Sequence, residues 1–181
     1  MISFSRATLL LLITISLLLS GCVDSDLPDY NLTLISEEFE ENLTLSDLRQ
    51  MPSYTGHGYL ISTVGIRYGP FVGKGVKIVD IIERMGGLDE SDRLYIYGSD
   101  GYLWVIDSKQ AFGEEYVTFD TDLRELHGIS VVPVLMYEQD GKQLTEEDGG
   151  PVRFALLTDE SGIITEGSAW VKWISKIELH R

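Results

Sequence analysis

The 181-residue chain contains a single cysteine, Cys22. One thiol excludes an intramolecular disulfide and every multi-thiolate metal centre, so zinc ribbons, iron–sulfur clusters and CxxC redox chemistry are absent. Bases are scarce as well: 14 Lys and Arg face 29 Asp and Glu, for a net charge of −15. Neutralising nucleic-acid phosphates needs clustered positive charge, and a generic nucleic-acid binder is therefore excluded. The three histidines, His57, His127 and His180, have no partner at the spacing of a zinc or general-base pair. There is no Gly-x-Ser-x-Gly, no paired-carboxylate constellation, no internal repeat and no low-complexity tract. What is present is 44% apolar residues, with nine Tyr and three Trp. That supply builds a packed core and argues against disorder. The length suits one domain.

The N-terminus carries the first motif. Arg6 precedes a run from Ala7 to Leu19 broken only by Thr8, Thr14 and Ser16. At this length and position it reads as the apolar region of a signal peptide rather than a membrane span of about 20 residues. An ordinary secretory signal and an uncleaved anchor helix are the alternatives. The run ends in Leu19-Ser20-Gly21-Cys22, which resembles the lipobox of prokaryotic lipoproteins. That resemblance implies diacylglyceryl modification of Cys22, cleavage before it, and attachment to the outer face of the cytoplasmic membrane or another extracytoplasmic membrane surface. Two acyl chains anchor stably where one is marginal. Removing residues 1–21 takes away Arg6 and no acid, leaving 13 bases against 29 acids, net −16. The chain then divides into a signal peptide (1–21), a lipidated N-terminus with an acidic tether (22–31) and one domain (32–181). Asn31-Leu32-Thr33 and Asn42-Leu43-Thr44 match the glycosylation sequon.

Within the domain, Leu43-Thr44-Leu45 reads as a strand end running into a short helix capped by Ser46. Tyr59–Tyr68 reads as one strand, bounded by Gly56 and Gly58 before it and Gly69-Pro70 after. Ile78, Ile81, Ile82 and Met85 lie at helical spacing, and Gly86-Gly87 closes that helix. Arg93–Tyr97 and Tyr102–Ile106 flank a glycine-containing loop as a hairpin. Val131–Glu138 and Val152–Thr158 are further strands, with turns at Asp140-Gly141 and Ser161-Gly162. Strands outnumber helices without regular alternation, which predicts an α+β fold of mixed small sheets and short helices.

Gly69–Gly75 occupies the place of a phosphate-binding loop between the expected strand and helix. It has three residues instead of four between the glycines, and Gly75 follows Lys74 where a Ser or Thr would hold Mg²⁺. Glu146-Glu147-Asp148 lacks the alternating ligands of a calcium loop and reads as a solvated turn. Trp170, Trp173, Ile174 and Ile177 recur at helical spacing and are expected in the core. Asp100-Gly101 is expected as a turn.

The remaining motifs are informative as an ordered set. Gly75-Val76-Lys77-Ile78-Val79-Asp80-Ile81-Ile82 is followed by Ser99-Asp100-Gly101-Tyr102, Gly141-Lys142-Gln143-Leu144, Gly149-Gly150-Pro151-Val152-Arg153 and Trp170-Val171-Lys172-Trp173-Ile174. This series, from about Leu43 to Leu179, resembles the molybdopterin-binding domain of the sulfite-oxidase-like superfamily. The resemblance implies that superfamily's α+β fold and a molybdopterin cofactor, with Arg153 and Lys172 contacting the pterin and its phosphate. Without a cofactor, Arg153 would be an ordinary strand arginine and Lys172 would lie along Trp170 and Trp173.

Catalytic members of the superfamily supply a cysteine to molybdenum from a loop before the Gly-Val helix, and the matching stretch here, Ser62–Tyr68, has none. Hydroxyls at Ser62 or Thr63 are harder and far less acidic than a thiol. Where the superfamily commonly has a histidine before Gly-Gly-Pro, this chain has Asp148. A carboxylate about 4 Å from a phosphate at an effective dielectric near 20 costs about 4 kcal/mol before screening. No catalytic residue and no metal ligand is therefore assigned. The sequence leaves two readings: a lipid-anchored binding or accessory module without catalysis, and a molybdopterin-dependent oxidoreductase holding its metal without a protein cysteine. A redox or small-molecule partner is not specified by the sequence.

Overall fold

The computed structural model describes residues 28–181. Cys22, the signal-peptide segment and most of the tether lie outside the described residues. Thirteen strands and three short helices form two sheets.

The first sheet has five strands in the order β2–β1–β13–β5–β6: β1 (Asn31–Ser36), β2 (Phe39–Thr44), β5 (Arg93–Gly98), β6 (Leu103–Ile106) and β13 (Ile174–His180). Period-two alternation places one face inside. Leu32 and Leu34 of β1, Leu94 and Ile96 of β5, and Ile177 and Leu179 of β13 are buried. Tyr30 already belongs to the core, and its hydroxyl donates to the Ile174 carbonyl at 2.9 Å.

On the other face, the Glu178 carboxylate accepts from Lys176 Nζ at 2.7 Å and from the Tyr97 hydroxyl at 2.8 Å, with His180 Nε2 at 3.3 Å. These partners, Lys176 foremost, hold its pKa down to about 2 from an ordinary 4.5. The group releases its proton more readily when folded, so its stabilisation is complete above about pH 4.5 and is lost as pH falls toward 2. Lys176→Met is expected to flatten the acid limb of urea-midpoint stability across that window. An unchanged limb would show that the pairing contributes nothing.

The second sheet holds β3 (Ser53–Ile61), β4 (Arg67–Lys77), β7 (Thr118–Phe119), β8 (Glu125–Leu126), β9 (Val131–Gln139), β10 (Lys142–Gln143), β11 (Arg153–Thr158) and β12 (Ile164–Glu166). Its centre closes on itself. β3 pairs with β4, β4 with β9 and β9 with β11, and β11 returns to β3 through Thr158 and His57. Every residue of β11 is buried, so this strand reads as an apolar run rather than an alternation.

Helix α1 (Leu45–Gln50) is capped by Thr44, not Ser46. The Thr44 hydroxyl accepts from Asp47 N–H while the Asp47 carboxylate accepts from Thr44 N–H, a reciprocal capping box. Helix α2 (Ile78–Arg84) packs Ile78, Ile81 and Ile82 inward near β4 and β9, with Met85 as its C-cap. Helix α3 (Ser108–Ala111) is a single turn capped by Asp107.

Other expectations about the strands are corrected. Tyr59–Tyr68 is not one strand: the chain reverses over 62–66, where Ser62 N–H donates to the Ile66 carbonyl and Ile66 N–H to Ser62 Oγ. Gly69-Pro70 lies within β4 rather than ending a strand, and Gly69–Gly75 is strand rather than loop. The strand-like composition of the reversal, with Val64 and Ile66, concealed it. Trp170, Ile174 and Ile177 are buried as expected, without forming a helix. A short 3₁₀ turn (Gly167–Ala169) leads into an irregular stretch in which Trp173 takes φ +50°, and β13 begins at Ile174.

Candidate functional site

Two adjoining cavities open where the ends of β3, β4, β9 and β11 meet the Gly167–Trp173 segment. The larger, about 520 Å³, is lined by Leu60, Ser62, Arg67, Tyr68, Phe71, Gln139, Glu147, Asp148, Arg153, Trp170 and Lys172, among others. The smaller, about 290 Å³, adds Thr63, Asp100, Tyr102, Ser168 and Trp173. They share Ser62, Gly167, Trp170 and Lys172. A groove of about 720 Å³ on the other side of Trp173 is larger, but among the described residues its charged lining is acidic, Asp29 and Glu146. The three cations Arg67, Arg153 and Lys172 converge on the first cavity, which makes it the candidate site.

Arg153 opens β11 and is only 8% exposed. Its guanidinium lies 5.0 Å from the centroid of the Trp170 ring, and Trp170 is held by an edge contact with Phe71 and by donation from Nε1 to Thr165 Oγ1. One guanidinium nitrogen donates to the Asp148 carbonyl at 2.9 Å, while Nε is buried without a partner. Burial pushes the guanidinium pKa down to about 10, opposed by the charge of Asp148. Arg153 lines the cavity, so the positive charge of its guanidinium is available to an anion there.

The loop after β10 is shaped by the same side chains. Thr145 Oγ1 donates to Asp148 Oδ2 at 2.6 Å and Asp148 N–H returns to Thr145 Oγ1. Three successive carbonyls then point to three side chains. Glu146 O accepts from Trp173 Nε1 at 2.8 Å, Glu147 O from Lys172 Nζ at 3.1 Å, and Asp148 O from Arg153. Gly149, at φ +87°, packs against the Lys172 stem, where a Cβ would collide. Glu146-Glu147-Asp148 is the expected turn, exposed at Glu146 and Glu147, and its Glu147 and Asp148 also line the site. The Asp148 carboxyl is held below its ordinary range first by the Thr145 hydroxyl, with smaller help from Arg153 and Lys172. It stays ionised, but its charge is spent on the loop and on the two cations.

Arg153 and Lys172 thus share one cavity, and Arg153 is not an ordinary surface arginine. Arg67, Tyr68 and Trp170 also line it. Sequence reading missed Arg67 and Tyr68 as site residues and took Trp170 for core alone. The available signal was the absence of any acid from Leu48 to Val79. Ser62 and Thr63 sit at the cavity, and Asp100 accepts from Tyr102 N–H as a turn residue. His57, His127 and His180 are not in it, and no cluster of three or more His, Cys, Asp or Glu residues suited to a metal ion occurs among the described residues. The aromatic wall at Trp170 and the cations Arg153 and Lys172 suit a planar ligand carrying a phosphate. Among the described residues no thiol lines either cavity, the one cysteine of the sequence being Cys22, so the lining present does not fit a metal held by protein thiolate.

No curated protein matches the chain. Among solved structures, it is similar to a chain of the sulfane dehydrogenase SoxCD from Paracoccus pantotrophus, with a TM-score of 0.60 and 17% identity over 83% of this chain. The match spans only 38% of that chain, and at this identity it speaks for the fold. The mixed sheets and few short helices are those of the sulfite-oxidase-like molybdopterin-binding fold. Residues 21–181 match the family model described as the oxidoreductase molybdopterin binding domain, and the chain belongs to that family.

Proposed function

We propose that the protein is a lipid-anchored, extracytoplasmic binding or accessory module that retains the anion grip of its family without the thiolate-ligated metal chemistry. The observation that carries the reading is the content of the cavity. Arg153 and Lys172 line it with Trp170, while Ser62 and, in the adjoining cavity, Thr63 are hydroxyls where a thiolate would be needed. A pterin cofactor, if bound, would supply the electron chemistry. The protein's own contribution is a phosphate-sized anion site at Arg153 and Lys172 and a flat wall at Trp170. The alternative, an oxidoreductase whose metal is held without cysteine, is favoured by one feature, the position of Ser62 where both cavities meet.

Anion binding is tested by titrating the full chain with inorganic phosphate and following tryptophan fluorescence, since Trp170 lies against Arg153. A saturable change that Lys172→Met weakens is expected. No change in the parent would remove the anion site. The anchor is tested separately: Cys22→Ala is expected to accumulate unprocessed precursor and to lose acyl labelling, and unchanged labelling would refute it.

A further inference from the structure

The reversal between β3 and β4 exposes apolar side chains at its tip: Val64 is 78% exposed and Ile66 52%, with Tyr68 at 53% behind them. It stands in the longest acid-free stretch of the chain. From Leu48 to Val79 there is no Asp or Glu, while Arg49, Arg67, Lys74 and Lys77 are present, in a chain of net −15. Ser62, Ile66 and Gly65 are tied by backbone and hydroxyl bonds, so the tip is a built turn rather than a loose end. Apolar side chains with Tyr and Arg at their base form the composition that settles at a lipid interface.

Where the chain enters the domain selects the partner. Ser62 and Thr63 line the cavity that reaches Trp173, and across Trp173 the 720 Å³ groove is lined by Pro28 and Asp29. Trp173 therefore borders both the cavity beside the β3–β4 turn and the groove at the point of chain entry. From Cys22 to Pro28 the chain spans at most about 20 Å when fully extended. A domain on so short a leash rests against the bilayer with the surface around Pro28 toward it.

We infer that the β3–β4 tip, through Val64 and Ile66, inserts into the lipid interface and turns the mouth of the candidate site toward the membrane. This inference rests on the lipid anchor proposed for Cys22. Its test begins with thiol titration of the unsubstituted full chain isolated from membranes. No reactive thiol is expected, and a free Cys22 overturns the anchor and the leash argument with it.

Val64→Cys, and separately Glu38→Cys at the remote β1–β2 turn, are then labelled with an environment-sensitive fluorophore in phosphatidylcholine–phosphatidylglycerol vesicles containing doxyl lipid. Quenching is expected to be several-fold stronger at position 64 than at 38, and Ile66→Asp in the labelled Val64→Cys chain is expected to abolish the difference with the circular dichroism unchanged. Equal quenching at both positions, with Cys22 blocked, overturns the orientation and leaves the anchor standing. A probe response at position 64 that follows protein density instead of doxyl content reports contact with a second copy, and also overturns it.

Discussion

Arg153→Met is expected to abolish phosphate binding while leaving the domain as stable as the parent or more so. A guanidinium whose pKa is pushed down to about 10 by burial costs on the order of 3 kcal/mol at neutral pH. Its folded pKa is the lower one, so the unfolded chain binds the proton more tightly. The cost is present in full below about pH 10 and shrinks as pH rises above it. Methionine removes that cost and fills much of the same volume beside Trp170. Lost in exchange are the hydrogen bond to the Asp148 carbonyl, about 1 kcal/mol, and the stacking on Trp170, about 0.5–2 kcal/mol. Urea denaturation at neutral pH is expected to place the variant within about 2 kcal/mol of the parent, on the stable side. A loss of about 3 kcal/mol or more would identify Arg153 as a strut of the fold, because breaking a needed buried charge has that size.

Gly75→Val is expected to have the largest effect on stability. Gly75 lies where β4 crosses β9, next to a register irregularity between Lys74 and Gly75. A Cβ there runs into the Leu135 carbonyl and Met136 Cα, which are backbone and cannot rotate away. The two strands must separate at the closure of the second sheet, and the neighbouring core residues Val76, Leu135 and Met136, all fully buried, lose their packing. A loss of at least about 3 kcal/mol is expected, equivalent in a domain of this size to a fall in Tm on the order of 10 °C. Lys74→Val, one residue away on the partly exposed side, is expected to change stability by less than about 1 kcal/mol. Similar losses in both variants would mean that side-chain character in β4, and not the close approach, sets the effect.

The elements that sequence reading placed well are those in which one local rule decides. The α2 helix follows from Ile78, Ile81 and Ile82 at one spacing with Gly86-Gly87 beyond, and the β5–β6 hairpin from alternation around Gly98–Gly101. It failed where tertiary pairing overrides composition. Val64, Gly65 and Ile66 look like strand interior, yet the chain turns there because β3 and β4 must pair with each other and with other strands. Trp170, Trp173, Ile174 and Ile177 fall at helical spacing by coincidence. The hydrogen bonds of Trp173 N–H to Gly149 O and of Ser99 N–H to Trp173 O fix an irregular path instead. At the site, Arg153 and Lys172 were legible as motif residues. The loop carbonyls that receive them, the burial of Arg153 and the arrival of Arg67 from another strand depend on long-range contacts that no local pattern encodes.

The central claim is that this pocket holds an anion with Arg153 and Lys172 and does not hold a catalytic metal. It is tested most directly by the molybdenum and pterin content of the full chain, expressed in a molybdopterin-competent host and purified folded. The account predicts folded protein with molybdenum far below one atom per chain. Near-stoichiometric molybdenum with releasable pterin would contradict it and establish the oxidoreductase in its place.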